Sequence, residues 1–304
     1  MPNFSIIIPF ENDVDAFHET VASALRHRPE QSQVILVHDG TYHDPHALGE
    51  EVEFVETTRR KNLIRLFNAG TQSANQEVIA FLRPGVELNS DWHLPVAESF
   101  ANPKVGSVSP LIHSSRQPNR VVTTGIDAAF GCSRKLVGQN AGASARSTKF
   151  KPLGPSSWAA FYRKSLLEQI GSCDDLLDPV YLDLELAFIA QKLGFQCRYQ
   201  PDCRIAISQP TWIQREANSP HGCSAERASR RHSREHSLGI TLLAACSEIF
   251  KSPLNPSFLK HAWQRFNASR FADIDRHFAE TLERKIRQQA WEDAHTTIPQ
   301  KRAA

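Results

Sequence analysis

Short apolar runs alternate with amphipathic stretches along the first hundred residues. Residues 4–9, 33–38 and 77–82 are mainly apolar runs of the length typical of buried strands. Residues 15–26 instead place apolar side chains three or four positions apart, which predicts a helix. Strands that alternate with helices favour a mostly parallel sheet with helices on both faces. The pattern therefore predicts an α/β fold, with any ligand bound at the carboxyl ends of the strands.

The pattern changes in the second half of the chain. Residues 156–170 predict a strand that runs into a helix, residues 183–193 a further helix, and residues 195–199 a further strand. The rest of the chain has a mostly helical pattern. We therefore expect an α/β domain over residues 1–212 and a helical C-terminal extension over residues 213–304.

The charge balance and the cysteine spacing exclude several classes of protein. Lys plus Arg number 35 and Asp plus Glu 33, a net charge of +2, whereas a nucleic-acid binder normally presents a strongly basic face. The six cysteines form no Cys-x-x-Cys pair, which favours reduced thiols in a cytoplasmic protein. The longest later apolar stretch, residues 238–246, is far shorter than the roughly 18 residues that span a membrane. We therefore expect a cytoplasmic protein with no nucleic-acid partner.

Four stretches of sequence, taken in order, resemble the family-2 glycosyltransferases. The opening strand of that family, with its Pro-x-x-Asn ending, is similar to residues 4–12, and its Asp-Asp-Gly-Ser turn to residues 34–41. Residues 68–92 are similar to the run through the family's metal motif, and residues 174–202 to its acceptor-side helix with a Glu-Asp motif. The resemblance implies a GT-A fold, which is a Rossmann-like, mostly parallel sheet with helices on both faces.

The same resemblance implies a function. Members of this family transfer a sugar, typically a hexose, from a nucleotide diphosphate to a hydroxyl group, for example in polysaccharide biosynthesis. For this chain the resemblance implies a UDP- or TDP-sugar donor, a carbohydrate or lipid-linked acceptor, and inversion at the transferred carbon. Such a reaction needs residues that bind the nucleotide base, groups that neutralise the charge of the diphosphate, and a base that deprotonates the acceptor hydroxyl.

Residues after the first two strands are implied to hold the nucleotide. Asp39 would accept the N3–H of uracil or thymine, while Pro9, Phe10 and Glu11 would lie along the base and the ribose. The alternative is that Asp39-Gly40 only forms a turn, since Asp and Gly favour turns in any protein. The sequence leaves both interpretations of Asp39 open.

The chain departs from the family at the Asp-x-Asp motif, which holds a divalent cation against the phosphates. The three positions read Arg83-Pro84-Gly85, so both carboxylates are missing. We therefore expect no metal ligands and no metal cofactor. The guanidinium of Arg83 would either bind the diphosphate directly or belong to a solvent-facing turn.

The acceptor side keeps half of the family's Glu-Asp motif, which reads Leu182-Asp183 here. The resemblance implies that Asp183 is the base that deprotonates the acceptor, although its position before an apolar helix is also typical of an N-cap. Trp158 falls near the acceptor channel by resemblance, where its ring would stack on a sugar. Packing in the core is the alternative for this tryptophan.

A basic stretch precedes the apolar residues 238–245. The four arginines within residues 227–236 would either contact anionic lipid headgroups at the inner face of the membrane or form one solvated helix face. The sequence does not decide between these two interpretations, and it leaves the oligomeric state open.

Two functions compete on this evidence. The retained Asp39 and Asp183 favour a glycosyltransferase that uses a nucleotide-diphosphate sugar. The loss of both metal carboxylates favours a catalytically inactive relative, which would keep the fold to bind a carbohydrate or a partner enzyme. We take the glycosyltransferase as the leading hypothesis.

Overall fold

Contacts between residues divide the chain into two units. Residues 1–129 and 134–219 form the first unit, and residues 130–133 and 220–304 form the second. The division predicted after residue 212 falls within a helix of the first unit. Within the two units, the computed structural model describes residues 2–11, 13–57, 62–142, 149–233, 236–251 and 256–296.

Eleven strands lie in the described part of the chain, and nine of them form one sheet. The strands are β1 (Phe4–Pro9), β2 (Gln33–His38), β3 (Glu53–Glu56), β4 (Val78–Leu82), β5 (Val86–Glu87), β6 (Val105–Ser114), β7 (Val121–Thr123), β8 (Ile126–Ala129), β9 (Ser133–Leu136), β10 (Ala159–Arg163) and β11 (Gln196–Ile207). The order in the large sheet is β3-β2-β1-β4-β10-β6-β11-β5, with β7 paired to β6. The remaining two strands, β8 and β9, pair with each other.

Polar caps fix where the first two helices of this unit begin. Asp13 accepts the backbone N–H of Ala16 at 2.9 Å, and Asn62 accepts that of Ile64 at 2.8 Å. The helices of this unit include those predicted over residues 15–26 and 183–193, each confirmed within one residue at each end, whereas those over His93–Phe100 and Pro210–Asn218 were not predicted. They are α1 (Val14–His27), α2 (Leu63–Ser73), α3 (His93–Phe100), α4 (Lys164–Ile170), α5 (Leu182–Lys192) and α6 (Pro210–Asn218).

Strand β1 lies in the parallel part of the sheet, with β2 on one side and β4 on the other. All six of its side chains are buried. Ile6 and Ile8 pack in one apolar core with Phe17 of α1, whereas Ile7 packs in a second core with Phe67 of α2. Burial on both faces explains why this strand is a continuous apolar run rather than an alternating one.

Gly70 allows α2 to lie close to this sheet. A Cβ atom at Gly70 would clash with the side chains of Ile7 on β1 and Val37 on β2. Glycine inside a helix costs roughly 1 kcal/mol relative to alanine. Close packing of the helix on the two strands therefore accounts for a residue that helix propensity disfavours.

Beyond β4 the sheet is mixed. Strand β10 runs antiparallel between β4 and β6, while β6 and β11 are parallel to each other. The predicted α/β sheet is confirmed, but this antiparallel insertion was not predicted, because local sequence does not specify pairing direction. Strand β11 also extends past the predicted residues 195–199, through an irregular register between Gln200 and Arg204.

The second unit is helical in its described part, as predicted for the C-terminal extension. Among the described residues of the whole chain, no helix is both long enough and apolar enough to cross a membrane. The α-helices of this unit are α7 (Gly222–His232), α8 (Leu238–Lys251), α9 (Pro256–Asn267) and α10 (Ala272–Thr296).

The basic stretch on α7 does not form an exposed face. Arg227 and Arg231 are buried, and both pair with Asp275 on α10. The distance to Oδ1 of Asp275 is 3.0 Å from Nε of Arg227 and 2.7 Å from Nε of Arg231. The expectation that this stretch contacts lipid headgroups is therefore wrong for these two arginines, whose charges are neutralised inside the unit. Arg234 lies outside the described residues.

All six cysteines are free thiols. Burial raises the pKa of the Cys173 and Cys203 thiols. It also raises the pKa of Cys197 to about 12, even though a hydrogen bond with Ser107 acts in the opposite direction. These three thiols are therefore poor nucleophiles at neutral pH, since the thiolate is the reactive form.

Asp275→Asn is expected to destabilise the second unit by about 3–5 kcal/mol, because the buried Arg227 and Arg231 would both lose the charge of the carboxylate that they share. Asp273→Asn is the matched control on the same helix, since Asp273 is exposed and its nearest cation, Arg276, is 3.9 Å away. The control should leave stability nearly unchanged. Urea denaturation followed by circular dichroism measures both, and equal midpoints for the two variants would contradict the structure.

Candidate functional site

Three of the predicted site residues meet at the carboxyl edge of the parallel strands. The N–H of Phe10 donates to the Val37 carbonyl oxygen at 2.7 Å, which holds the ends of β1 and β2 side by side. Glu11 follows β1, Asp39 follows β2, and Arg83 follows β4. Open α/β sheets bind their ligands in crevices at this edge.

Asp39 lies half-buried in the turn after β2. Its Oδ1 atom accepts the N–H of Thr41 at 3.3 Å and the hydroxyl of Thr41 at 2.6 Å. Gly40 between them has φ of +85°, a conformation that glycine adopts without strain. Asp39 therefore forms a turn, as the alternative interpretation of Asp39-Gly40 predicts. Its carboxylate nevertheless lies at the edge of the sheet, where a nucleotide could reach it.

The ring of Phe10 packs in the core rather than along an open edge. It is 5% exposed, and its centroid lies 5.2 Å from that of Phe17 and 5.0 Å from that of Tyr42. Pro9 is the last residue of β1 and is buried as well. A contact between the Phe10 ring and a nucleotide base, as the resemblance implies, would require this ring to leave the core, whereas Glu11 is half-buried at the edge.

Arg83 is buried and already paired with two carboxylates. Its Nε and Nη2 atoms donate to Glu11 at 2.7 and 2.8 Å, and Nη1 lies 2.8 Å from Oε1 of Glu216 on α6. Burial lowers the pKa of Arg83, but the charges of Glu11 and Glu216 raise it by more, so the net shift is upward. The prediction of a solvent-facing turn at Arg83 is therefore wrong.

Trp158 completes the same cluster. The Arg83 guanidinium carbon lies 4.0 Å from the centroid of the Trp158 ring, and the indole N–H donates to Oε2 of Glu216 at 2.7 Å. Trp158 is 3% exposed. Its ring is packed inside the unit with one face against a guanidinium, so the structure favours the core-packing interpretation over stacking on an acceptor sugar.

Asp183 is fully buried in the first turn of α5. Arg134 on β9 donates a hydrogen bond to each carboxylate oxygen, from Nε to Oδ1 at 2.8 Å and from Nη2 to Oδ2 at 2.7 Å. The N–H of Ser157 also donates to Oδ2, at 3.0 Å. The N-cap interpretation is wrong, because Tyr181 occupies the N-cap position and the Asp183 carboxylate binds groups outside the helix.

Glu216 and Arg134 are the partners that the sequence did not reveal. Glu216 lies on α6 and Arg134 on β9, both distant in sequence from the residues they bind. Burial lowers the pKa of Arg134, and the nearby Asp183 more than offsets this, so the net shift is upward. The spacing of neither residue marks it as part of a site; only the fold brings them to Arg83 and Asp183.

The position of the Asp-x-Asp motif does not fit a divalent cation. Residues 83–85 form a turn in which the N–H of Gly85 donates to the Ala16 carbonyl oxygen at 3.0 Å and to the Thr20 hydroxyl at 2.9 Å. Gly85 has φ of +88°. Among the described residues, no group of three His, Cys, Asp or Glu side chains is placed to hold a metal ion.

The sequence profile described as "Glycosyl transferase family 2" matches residues 5–171, more than half of the chain. The chain belongs to this family. The family-2 match runs from β1 to the end of α4 and therefore includes Glu11, Asp39 and Arg83, and it ends before Asp183. It confirms the resemblance drawn from the four sequence stretches.

Curated relatives match a shorter part of this family-2 chain. Polypeptide N-acetylgalactosaminyltransferase 10 from Rattus norvegicus and from Homo sapiens are each 32% identical to it over 123 residues, which is 37% of this chain and 20% of the relative. The chain thus matches about a fifth of the length of each of these relatives.

Solved structures confirm the predicted GT-A-like fold. The crystal structure of GalNAc-T7 with UDP, GalNAc and Mn²⁺ superposes with a TM-score of 0.63 at 15% identity, covering 98% of this chain and 58% of that one. The mannosyltransferase PcManGT from Pyrobaculum calidifontis, in complex with GDP-Man and Mn²⁺, superposes with a TM-score of 0.50 at 13% identity. That match covers 89% of this chain and 87% of PcManGT. At such low identity the likeness establishes the fold alone.

The prediction of no metal cofactor is contradicted by these two neighbours. Both were crystallised with Mn²⁺, one together with UDP and the other with GDP-Man. The two neighbours count against the prediction, although residues 83–85 of this chain do not supply the carboxylates of the usual site. Loss of the Asp-x-Asp motif is therefore an insufficient basis for predicting a protein that works without metal.

Asp183→Asn is expected to lower the free energy of unfolding by about 3–5 kcal/mol, because Arg134 would stay buried without its charge partner. The control is Asp175→Asn, whose ion pair with Arg65 is about one-third exposed, and there we expect less than about 1 kcal/mol. Urea denaturation measures both changes. If the two substitutions cost the same, the buried pair does not hold α5 in the way described.

Proposed function

We propose that this chain is a glycosyltransferase that transfers a sugar from a UDP- or TDP-sugar, with inversion, to a hydroxyl group of a carbohydrate or lipid-linked acceptor. Membership of family 2 and the GT-A-like fold support the class of reaction. The observation that carries the proposal for this chain is the position of Asp39. Its carboxylate lies half-buried at the carboxyl edge of the parallel strands, where such sheets bind ligands.

Asp39 would read the nucleotide base in the proposed site. A carboxylate is a hydrogen-bond acceptor, so it can receive the N3–H that uracil and thymine both carry. Guanine also carries N–H donors that a carboxylate can accept, but it is a larger, two-ring base, so we expect a site that fits a pyrimidine to discriminate against GDP by size. The turn with Thr41 orients the carboxylate before the nucleotide arrives, so that little ordering is left to occur on binding.

In the proposed site, the first role of Arg83 is to hold neighbouring elements of the fold in position. It ties Glu11, at the end of β1, to Glu216 on α6. Direct contact with a diphosphate, the role that the resemblance suggested for Arg83, requires the phosphates to displace at least one of these two carboxylates. A guanidinium can make that exchange, because it pairs equally well with carboxylate and phosphate.

Asp183 would accept the proton of the acceptor hydroxyl. Both of its oxygens are engaged by Arg134, and Ser157 adds a third hydrogen bond. A general base has to come within hydrogen-bond reach of the proton that it removes. Because Asp183 is also fully buried, the proposed reaction includes a step in which the Arg134 guanidinium moves away and lets the acceptor hydroxyl reach the carboxylate.

A second function is favoured by these same two contacts. With Arg83 and Asp183 each held by a buried ion pair, the chain could bind a nucleotide sugar or a glycan without transferring it. Binding alone requires neither pair to open. This inactive, binding-only protein is the alternative that the experiments below separate from the enzyme.

The nucleotide site is tested by calorimetric titration with UDP, TDP and GDP, with Mn²⁺ present throughout because the neighbours were crystallised with it. We expect UDP and TDP to bind more tightly than GDP, and Asp39→Ala to weaken UDP binding by roughly tenfold or more. Asp44→Ala, in the same loop, is the control and should bind UDP as the unmodified protein does. Equal affinities of the two variants would remove Asp39 from the site.

The transfer reaction is tested by measuring the release of UDP from UDP-sugars offered with carbohydrate acceptors. If Asp183 is the base, Asp183→Asn should lower kcat by roughly a hundredfold or more, while UDP affinity, measured on the folded fraction, stays unchanged. Asp175→Asn should retain full activity. Normal UDP binding with no turnover in the unmodified protein, for every donor and acceptor tried, would favour the binding-only alternative.

A further inference from the structure

A pocket lies in the first unit, away from the carboxyl edge that carries Asp39. It has a volume of about 690 Å³ and is lined by the first half of β11, the start of β6, the C-terminal half of α5, and residues 150–153. Strands β6 and β11 are parallel, and the residues that line the pocket come from the amino-terminal halves of both. A volume of this size is in the range of small-molecule sites.

Aromatic rings form one part of the lining. Phe150 and Tyr199 lie edge to face, with centroids 6.1 Å apart and planes at 88°. Tyr199 is 7% exposed and packs in a core with Leu111 and Val121, so the half-buried Phe150 is the ring that a ligand can reach. Aromatic side chains bury large areas and pack on the apolar faces of ligand rings, which for a pyranose are its C–H faces.

Polar groups that suit hydroxyl-rich ligands form another part of the lining. The amide side chains of Gln191 on α5 and Gln196 on β11 are both exposed at the pocket. Each amide offers both donors and acceptors to a ligand. A lining that combines aromatic and amide side chains is expected for a carbohydrate ligand, because a carbohydrate presents apolar C–H faces and polar hydroxyl edges.

The charge at the pocket is positive. Lys151 and Arg198 line it and are exposed, and no carboxylate in the described part of the chain forms an ion pair with either. The acid among the lining residues, Asp127, lies 3.2 Å from Nζ of Lys135. The pocket therefore presents two cations to a ligand, while its carboxylate is already neutralised.

We propose that this pocket binds an acidic oligosaccharide, with a sugar ring against Phe150 and its carboxylate groups at Lys151 and Arg198. The binding does not depend on the transfer activity, since none of these residues belongs to the candidate nucleotide site. A neutral glycan would use the Phe150 ring and the amides but leave both cations unpaired.

The test is calorimetric titration of the full chain with trigalacturonate as the acidic probe, maltotriose as the neutral probe, and UDP. We expect trigalacturonate to bind and maltotriose to bind at least about tenfold more weakly. UDP should not compete with trigalacturonate. Arg198→Gln and Phe150→Ala should each weaken trigalacturonate by roughly tenfold, and UDP binding should remain unchanged in both.

Arg116→Gln is the matched control, because Arg116 is exposed and does not line the pocket. It should bind trigalacturonate as the unmodified chain does. The proposal is overturned by the absence of trigalacturonate binding at millimolar concentration, by equal losses in Arg116→Gln and Arg198→Gln, or by competition from UDP. Equal binding of maltotriose overturns the acidic assignment.

Discussion

The parallel pairing of β1 between β2 and β4 is the constraint on which the candidate site depends. All six residues of β1 are buried, with one apolar core on each face. Parallel strands end at a common edge, so the first polar residues after each strand are brought together there. Glu11, Asp39 and Arg83 are neighbours for this reason, and the site follows from the packing of apolar side chains that take no part in it.

Buried arginine–carboxylate pairs then fix the elements around this sheet. Arg83 joins the end of β1 to α6, and Arg134 joins β9 to α5. In the second unit, Asp275 holds two arginines of α7. Burying such charges adds little net stability, whereas removal of one partner is costly. Their main effect is therefore to allow one arrangement of the elements and to disfavour others.

This division between apolar packing and buried charge explains what could be predicted from the sequence. Strands such as β1 and helices such as α1 were predicted because apolar periodicity is local, and the family was recognised from residues on those strands. The partners of Arg83 and Asp183 were not predicted, because Glu216 and Arg134 are distant in sequence and have no distinguishing spacing. The arginines of α7 were placed at the surface for the same reason, since nothing near them in sequence indicates Asp275.

The pair between Arg134 and Asp183 also separates the two functions that remain. In a binding-only protein the Arg134–Asp183 ion pair can stay formed, because the pair holds α5 in place and no proton has to be transferred. An enzyme that uses Asp183 as its base has to open the pair in every turnover, and a buried guanidinium left without its carboxylate is unfavourable. That cost is offset only if the incoming substrate supplies a negative group for Arg134, and the diphosphate of a nucleotide sugar is such a group. Opening of the pair would then be coupled to arrival of the donor, so that Asp183 becomes a base only when there is a sugar to transfer.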